Sequence, residues 1–447
     1  MGKIILFSPI GGTDPMSLNN CHDGSLIHIC RVYKPDVVYL YMSKEILENH
    51  SKDNRYIYCL DKLSESINHK MEYHIIERPE LTDVQKFDVI YEDMQEIVNK
   101  LTSEMNDDDR LLLNVSSGTP AMKSSLLVMN VLGEYRFTAV QVATPTKKMN
   151  EHSHKDYSDL LELLWEENED NKEEFVNRCS EVDCPALLAM KINEIIKKHI
   201  QGYDYFGALN TVSTVTEKDS RIEFMLKLAY ARSVLDFKTV DEIERKLGVN
   251  ITPMKSGDVR KYYEYALILL IKQKKEMYAD FLRAITPLIV DLYELIIKNR
   301  CNIDIRNYTY NNSSTNGEQW SRSKLESDSK GIELKEILER EYTNFSYGYV
   351  SSDNLTRIII QKSTDSEMNS LVEDLRSVES KIRNLAAHQI ISIDDDRIKN
   401  ETGFSSLQII KKIKRAFFYA GINVTEEKWN SYDEMNKMII DTIDGKK

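Results

Sequence analysis

Cysteine is scarce in this chain of 447 residues and never grouped. The six cysteines stand at 21, 30, 59, 179, 184 and 301. None forms a Cys-x-x-Cys pair and none is set beside histidine at zinc-ligand spacing, so a zinc site is not expected and the thiols read as reduced packing residues. Long apolar runs are missing as well. No stretch reaches the roughly 18 consecutive apolar residues that a membrane-spanning helix needs. The apolar start, Met1 to Ile10, is short and runs into Gly11-Gly12 without a cleavage pattern, which argues against a secretory leader and for a cytoplasmic protein. Positive charge is in deficit: 59 Lys and Arg stand against 72 Asp and Glu, for a net charge of −13. That balance excludes an extended DNA-binding surface, though not a small basic site that meets RNA locally.

What is present is an ordinary globular composition, 41% hydrophobic and 29% charged, in a chain long enough for two or three domains. The first 150 or so residues alternate strand and helix patterns. Lys3–Ile10, Asp36–Tyr41, Tyr73–Glu77, Arg110–Asn114 and Phe137–Ala143 read as strands. Leu26–Tyr33, Arg55–Met71, Ile90–Met105 and Pro120–Leu132 read as helices. Strands separated by single helices imply a Rossmann-like α/β domain with a parallel-rich sheet and helices on both faces. Past Thr146 the pattern stops. Leu160–Glu174, with its acidic run EENEDNKEE, reads as a solvated helix or linker. From about Glu181 the chain is helical in pattern, implying an all-α linker and an all-α C-terminal domain. Pro287 should kink or split the amphipathic stretch Met277–Asn299. The polar segment Cys301–Lys330 has no clear period and reads as an excursion or loop.

Two N-terminal loops can handle phosphate. The segment Leu111 to Lys123 reads strand, loop, helix. Pro120 suits a first helical position, Gly118 permits a tight turn, and Ser117 and Thr119 offer hydroxyls. The helix start offers free N–H groups and Lys123 adds charge one turn in, so these parts could cradle a phosphodiester. The loop Ser8 to Pro15 leaves the first strand at the same sheet edge, so both can face one crevice. Neither loop is a Walker motif or a G-x-G-x-x-G, which argues against a P-loop NTPase and a dinucleotide dehydrogenase. A capping turn and an ordinary loop remain open as plain readings. His22 and His28 could line this crevice, with core or surface roles as the alternative.

Late in the chain stands Arg383-Asn384-Leu385-Ala386-Ala387-His388. A guanidinium can hold a scissile phosphate, and an imidazole can move the proton of a ribose 2′-OH near pH 7. Leu371, Leu375, Val378, Ile382, Leu385 and Ile390 lie near one stripe of the surrounding helix Ser366–Ile391, and Asn384 and His388 share a face. One helix carries one such arginine–histidine pair. Two copies meeting across a two-fold axis would supply a base, an acid and charge stabilisation, so the motif implies a homodimer with a composite site. The chemistry expected is metal-independent attack of the RNA 2′-OH on the adjacent phosphorus, leaving a 2′,3′-cyclic phosphate and a 5′-hydroxyl, with DNA inert. A surface histidine beside an arginine paired with Glu379 is the plain alternative. The run Lys411-Lys412-Ile413-Lys414-Arg415 reads as a solvated face that could guide RNA.

With GGTDP after the first strand, SSGTPAMK at Ser116–Lys123 and RNLAAH late in the chain, the sequence resembles the type III CRISPR ancillary ribonucleases that join a CARF sensor domain to a HEPN nuclease domain. The resemblance implies a CARF sensor at residues 1–160, a helical linker at 161–275 and a HEPN ribonuclease at 276–447. It implies catalytic roles for Arg383, Asn384 and His388. It implies contacts to a cyclic oligoadenylate activator from Gly11, Gly12, Thr13, Asp14, Ser117, Gly118, Thr119 and Lys123. No metal is expected, and the substrate would be single-stranded RNA. Resemblance favours the cyclic hexa-adenylate, with the tetra-adenylate open. Slow cleavage of the activator in the sensor, with Thr119 positioning a ring 2′-OH, is a further implication. A toxin-type HEPN ribonuclease free of cyclic adenylate control and a non-catalytic nucleotide-sensing regulator remain open.

Overall fold

Five apolar segments near the N-terminus pair as parallel strands in the computed structural model, which describes residues 2–18, 20–133, 137–145, 160–213, 220–312, 317–387 and 392–445. They are β1 (Ile4–Pro9), β2 (Val37–Ser43), β3 (Glu72–Arg78), β4 (Arg110–Asn114) and β5 (Phe137–Val142), and a short β6 (Cys179–Glu181) adds antiparallel to β5. The spatial order is β3-β2-β1-β4-β5-β6. Successive strand residues point to opposite faces. Leu6, Val38, Leu40 and Leu112 therefore pack under α1 (Ser25–Tyr33), α2 (Lys44–Asp53) and α3 (Arg55–Ser66). Phe7, Tyr41, Leu111 and Leu113 pack under α4 (Phe87–Glu104) and α5 (Pro120–Leu132).

This order positions a site. The loop after β1 leads to α1 on one face, and the loop after β4 leads to α5 on the other. Because β1 and β4 are neighbours, their loops diverge at the carboxyl edge and leave a crevice between them.

The chain divides into two compact units, Met1–Lys191 and Ile192–Lys447. The stretch 161–191 belongs with the sheet. It contains α6 (Leu161–Glu166), strand β6 and the start of α7 (Pro185–Gln201). A linker of helices alone over 161–275 is thus corrected by β6. The acidic run is also not a solvated face throughout. Asn168 and Asp170 are buried, and Asp170 accepts from the Asp23 amide at 2.8 Å. Helix α3 ends at Ser66, short of the expected Met71, and the polar helix α2 carries a single buried residue, Ile46.

The second unit packs helices around one continuous core. The expected split near Pro287 is present: helices Tyr278–Arg283 and Ile285–Arg300 meet at Ala284, and Pro287 sits in the first turn of the second, where its missing N–H costs nothing. An all-α C-terminal domain is corrected by a hairpin, β7 (Thr309–Asn312) against β8 (Gly317–Trp320), within the segment expected to be a loop. Trp320 buries its ring and donates to Asn354 Oδ1 at 3.2 Å, which anchors the hairpin to helix Ser352–Lys362. Arg232 and Glu264 form a buried ion pair at 2.8 Å, and Arg232 also donates to Ser431 Oγ at 2.7 Å and lies over the Tyr432 ring. The helix Ser431–Ile443 is in this way built into the core of helices that precede it by some 200 residues. No helix among the described residues is long and apolar enough to cross a membrane.

Candidate functional site

The crevice between the β1 and β4 loops opens into a cavity of ≈340 Å³. Gly11, Gly12, Asp14, Gly118, Thr119 and Lys123 line it. Backbone approaches backbone here: a Cβ on Gly11 would lie 2.7 Å from the Gly118 nitrogen. Gly118 has φ +86°, and a Cβ there would meet Pro9 Cβ and Met122 Sδ, each at 2.9 Å. Only glycine fits either position without displacement. Thr119 caps α5, its hydroxyl accepting from the Met122 amide at 3.4 Å and donating to the Val84 carbonyl at 2.8 Å. Pro120 follows at the first helical position, so the amino end of α5 faces the cavity with the positive end of its dipole.

Asp14 is buried and its carboxylate is shared out. Oδ1 accepts from the Leu26 amide at 3.0 Å; Oδ2 accepts from the Gly11 amide at 3.3 Å and from the Ser117 hydroxyl. Burial raises its pKa above the ordinary carboxylate value, against the pull of these hydrogen bonds and of Lys123. Asp14 and Ser117 act as the tie between the two loops. Ser117 and Thr13 do not line the cavity.

The opposite wall escaped the sequence reading. Ser43, Glu45 and Asn49, at the β2–α2 junction, line the cavity together with Arg55, the first residue of α3. Arg55 is nearly buried and paired with Asp53, Nη2 to Oδ2 at 2.6 Å. The signal was the strand order: β2 neighbours β1, so the residues after its carboxyl end border the same crevice.

His22 and His28 do not line this cavity, which corrects the expectation that they could. His28 is fully buried and its Nε2 accepts from the Arg178 amide at 2.9 Å. Asp23, His28 and Asp170 bring their polar atoms within 4.8 Å of one another. The Arg178 guanidinium fills that cluster, 2.8 Å from Asp170 Oδ2 and 3.0 Å from His28 Nδ1, and supplies the charge a cation would bring. Burial works to raise the Asp170 pKa. The His28 and Asp23 hydrogen bonds and the Arg178 charge outweigh it and hold the carboxyl well below its ordinary value.

The second motif lies on helix Ser366–Ala387, whose Met368, Leu371, Val372, Leu375 and Val378 are buried. Tyr293 fastens it by donating to the Val372 carbonyl at 2.7 Å. Arg383 and Asn384 occupy helical positions in its last turns. Their side chains, and those of Ile382 and Leu385, are not among those described, and His388 and Ile390 lie outside the described residues. Glu379 is buried, accepts from the Ser352 hydroxyl and lies 3.5 Å from Arg376 Nη1.

A mostly parallel α/β unit with a glycine-lined crevice, followed by a helical unit carrying Arg-Asn-x-x-x-His, defines a CARF–HEPN protein. Family models agree: the Cas_Csm6 CARF domain matches residues 72–179, the Csm6 6H domain 182–233 and the Cas_Csm6 HEPN domain 251–440. The chain is 30% identical over 445 residues to a CRISPR system endoribonuclease Csm6 of Mycobacterium tuberculosis, covering 99% of both chains. It is 26% identical to a Csm6 of Streptococcus thermophilus over 98% of this chain and 100% of the other. The chain belongs to the Csm6 family of CRISPR-associated endoribonucleases and is itself an endoribonuclease. Its fold matches that of Enterococcus italicus Csm6 bound to cyclic hexa-2′-fluoro-hexa-dAMP, with a TM-score of 0.71 at 20% identity over 98% of this chain and 99% of that one.

Proposed function

We propose that this chain is a cytoplasmic antiviral ribonuclease that cuts single-stranded RNA without a metal when a cyclic oligoadenylate binds the β1/β4 crevice. The sensor runs through the sheet unit, Met1–Lys191, and the linker and nuclease lie in the helical unit that follows. The observation that carries the reading is the meeting of Gly11 and Gly118 at the amino end of α5. It leaves room for a ligand's phosphate against N–H groups, with Lys123 beside it. At ≈340 Å³ the cavity is at the low end of the roughly 300–1,000 Å³ sites that enclose a drug-sized ligand. It takes part of a ring, and a second copy of the chain takes the rest. Gly11, Gly12, Thr13, Asp14, Ser117, Gly118, Thr119 and Lys123 form or frame this site, with cyclic hexa-adenylate favoured over the tetra-adenylate.

In the nuclease, facing helices of a homodimer bring two copies of Arg383, Asn384 and His388 together. One imidazole takes the proton of the 2′-OH as that oxygen attacks the adjacent phosphorus. The P–O5′ bond breaks, and the other imidazole protonates the departing 5′ oxygen. Arg383 neutralises charge on the phosphoryl oxygens, and Asn384 orients phosphate or histidine. The products are a 2′,3′-cyclic phosphate and a 5′-hydroxyl, and DNA is inert for want of the nucleophile. The ring activates through its higher affinity for the competent state. Slow ring cleavage by the sensor would need Thr119 to exchange its hydrogen bond to the Val84 carbonyl for a ring hydroxyl.

The test is cleavage of a fluorescent single-stranded RNA in EDTA, with no ring, with cyclic tetra-adenylate or with cyclic hexa-adenylate. Ring-dependent cleavage is expected to fall by about 10²–10⁴-fold in Arg383→Ala or His388→Ala. Cleavage indifferent to both rings, or abolished by EDTA, overturns the reading.

A further inference from the structure

A second cavity, ≈300 Å³, flanks helix Ser366–Ala387 on the amino-terminal side of the Arg383-Asn384 turn. Arg357, Arg376, Ser377, Ser380 and Lys381 line it, with Asp353 and Glu373 among the remaining residues. In a chain of net charge −13 this is a local concentration of cations and hydroxyls. Asp353 and Glu373 offset two of the three lining cations and leave a net positive charge. Asp353 lies 3.2 Å from Arg376 Nε, and that pair forms part of the wall. Arg357 is half-exposed, and its one ion pair among the described residues is a long contact, 3.8 Å, to Glu341. Lys381 is exposed and makes no ion pair among the described residues.

The placement is ordered along the helix. Positions three, four and seven apart share a helical face. Ser377, Lys381 and Asn384 stand in that relation, so one stripe runs from the cavity to the motif. Each turn advances about 5.4 Å along that stripe.

We infer that this cavity binds the backbone phosphates of the RNA substrate next to the cleaved linkage, with Arg357 and Lys381 as the principal cations and the Ser377 and Ser380 hydroxyls as donors. The inference rests on the reading that RNA is cut at Arg383 and His388. Phosphate contacts of this kind fix register without reading bases, so the site strengthens binding of any sequence.

The test uses the full-length protein with activating ring. Binding of a fluorescent 2′-O-methyl RNA, which lacks the nucleophile, is followed by anisotropy across a salt series. Arg357→Glu/Lys381→Glu is expected to weaken binding by at least about tenfold and to reduce the slope of log Kd against log salt by about 1.4, two phosphates at about 0.7 each. On cleavable RNA the same variant should raise KM while kcat stays within about twofold, and Lys381→Arg should bind as the parent does. An unchanged Kd, salt slope and KM overturns the site, and so does a fall confined to kcat. Binding of the ring is the folding control. Failure of His388→Ala to lose cleavage would instead sink the active-site reading, and the 2′-O-methyl RNA measurement would still judge the cavity.

Discussion

Ser117 donates its hydroxyl to the carboxylate of Asp14 across 103 residues of sequence, and that bond joins the two loops bordering the sensor crevice. Asp14→Ala would leave three donors without their acceptor: the Gly11 and Leu26 amides and the Ser117 hydroxyl. A cost of about 3 kcal/mol is expected from denaturant unfolding, with weaker ring binding because the loops part. Ser117→Ala leaves Asp14 two of its donors and should cost about 1 kcal/mol. Equal costs for the two would show that Asp14 does not organise the loops.

Gly118→Ala is expected to cost about 2 kcal/mol, combining a positive φ with contacts to Pro9 and Met122, and to weaken ring binding by at least about tenfold. Calorimetric titration with cyclic hexa-adenylate checks the second part. Because the change leaves Arg383 and His388 in place, saturating ring should restore much of the RNA cleavage. Wild-type ring affinity would count against the crevice.

Glu294 offers a pH test in the second unit. Burial pushes its pKa to about 7, helped by Glu318 and Asp291 and opposed by Arg306, whose Nε is 3.9 Å away. Unfolded, the group returns to about 4.5. Between those values the folded chain holds a proton that the unfolded chain has lost, so stability declines as pH rises through the window and the penalty is complete above it. Asp291, raised to about 6 by burial, acts in the same sense. Glu294→Gln should therefore raise stability at pH 8 by on the order of 2 kcal/mol and change little at pH 4. Thermal melts at both pH values decide, and an equal effect at both would refute the assignment.

How far the sequence could be read follows from what each element buries. Strands β1, β2 and β4 are nearly continuous apolar runs, largely buried, and announced themselves, whereas the edge strand β3 buries no residue fully and carries a weaker apolar signal. Helix Pro120–Leu132 came with its cap and its proline. Helix α2, strand β6 and the β7–β8 hairpin did not, because they hold their places through few apolar residues. Helix Ser352–Lys362 has a weak local signal, since Ser, Asn, Thr and Ile are weak helix formers, yet Leu355, Ile358 and Ile359 are fully buried and decide its fate. Of the crevice, the glycines and the helix cap were legible. The wall from Ser43 to Arg55 was not, because adjacency of β2 to β1 is a property of the sheet, and no local motif records it.

The anchoring of Ser431 by Arg232 bears on how the enzyme is made. A ribosome delivers Tyr205 and Arg232 some two hundred residues before their partners Asn436 and Ser431. Until residues 431–443 emerge, the helices already made lack one wall, and the buried Arg232–Glu264 pair has an open side. Closure of the unit that carries the Arg383 helix thus waits on late translation.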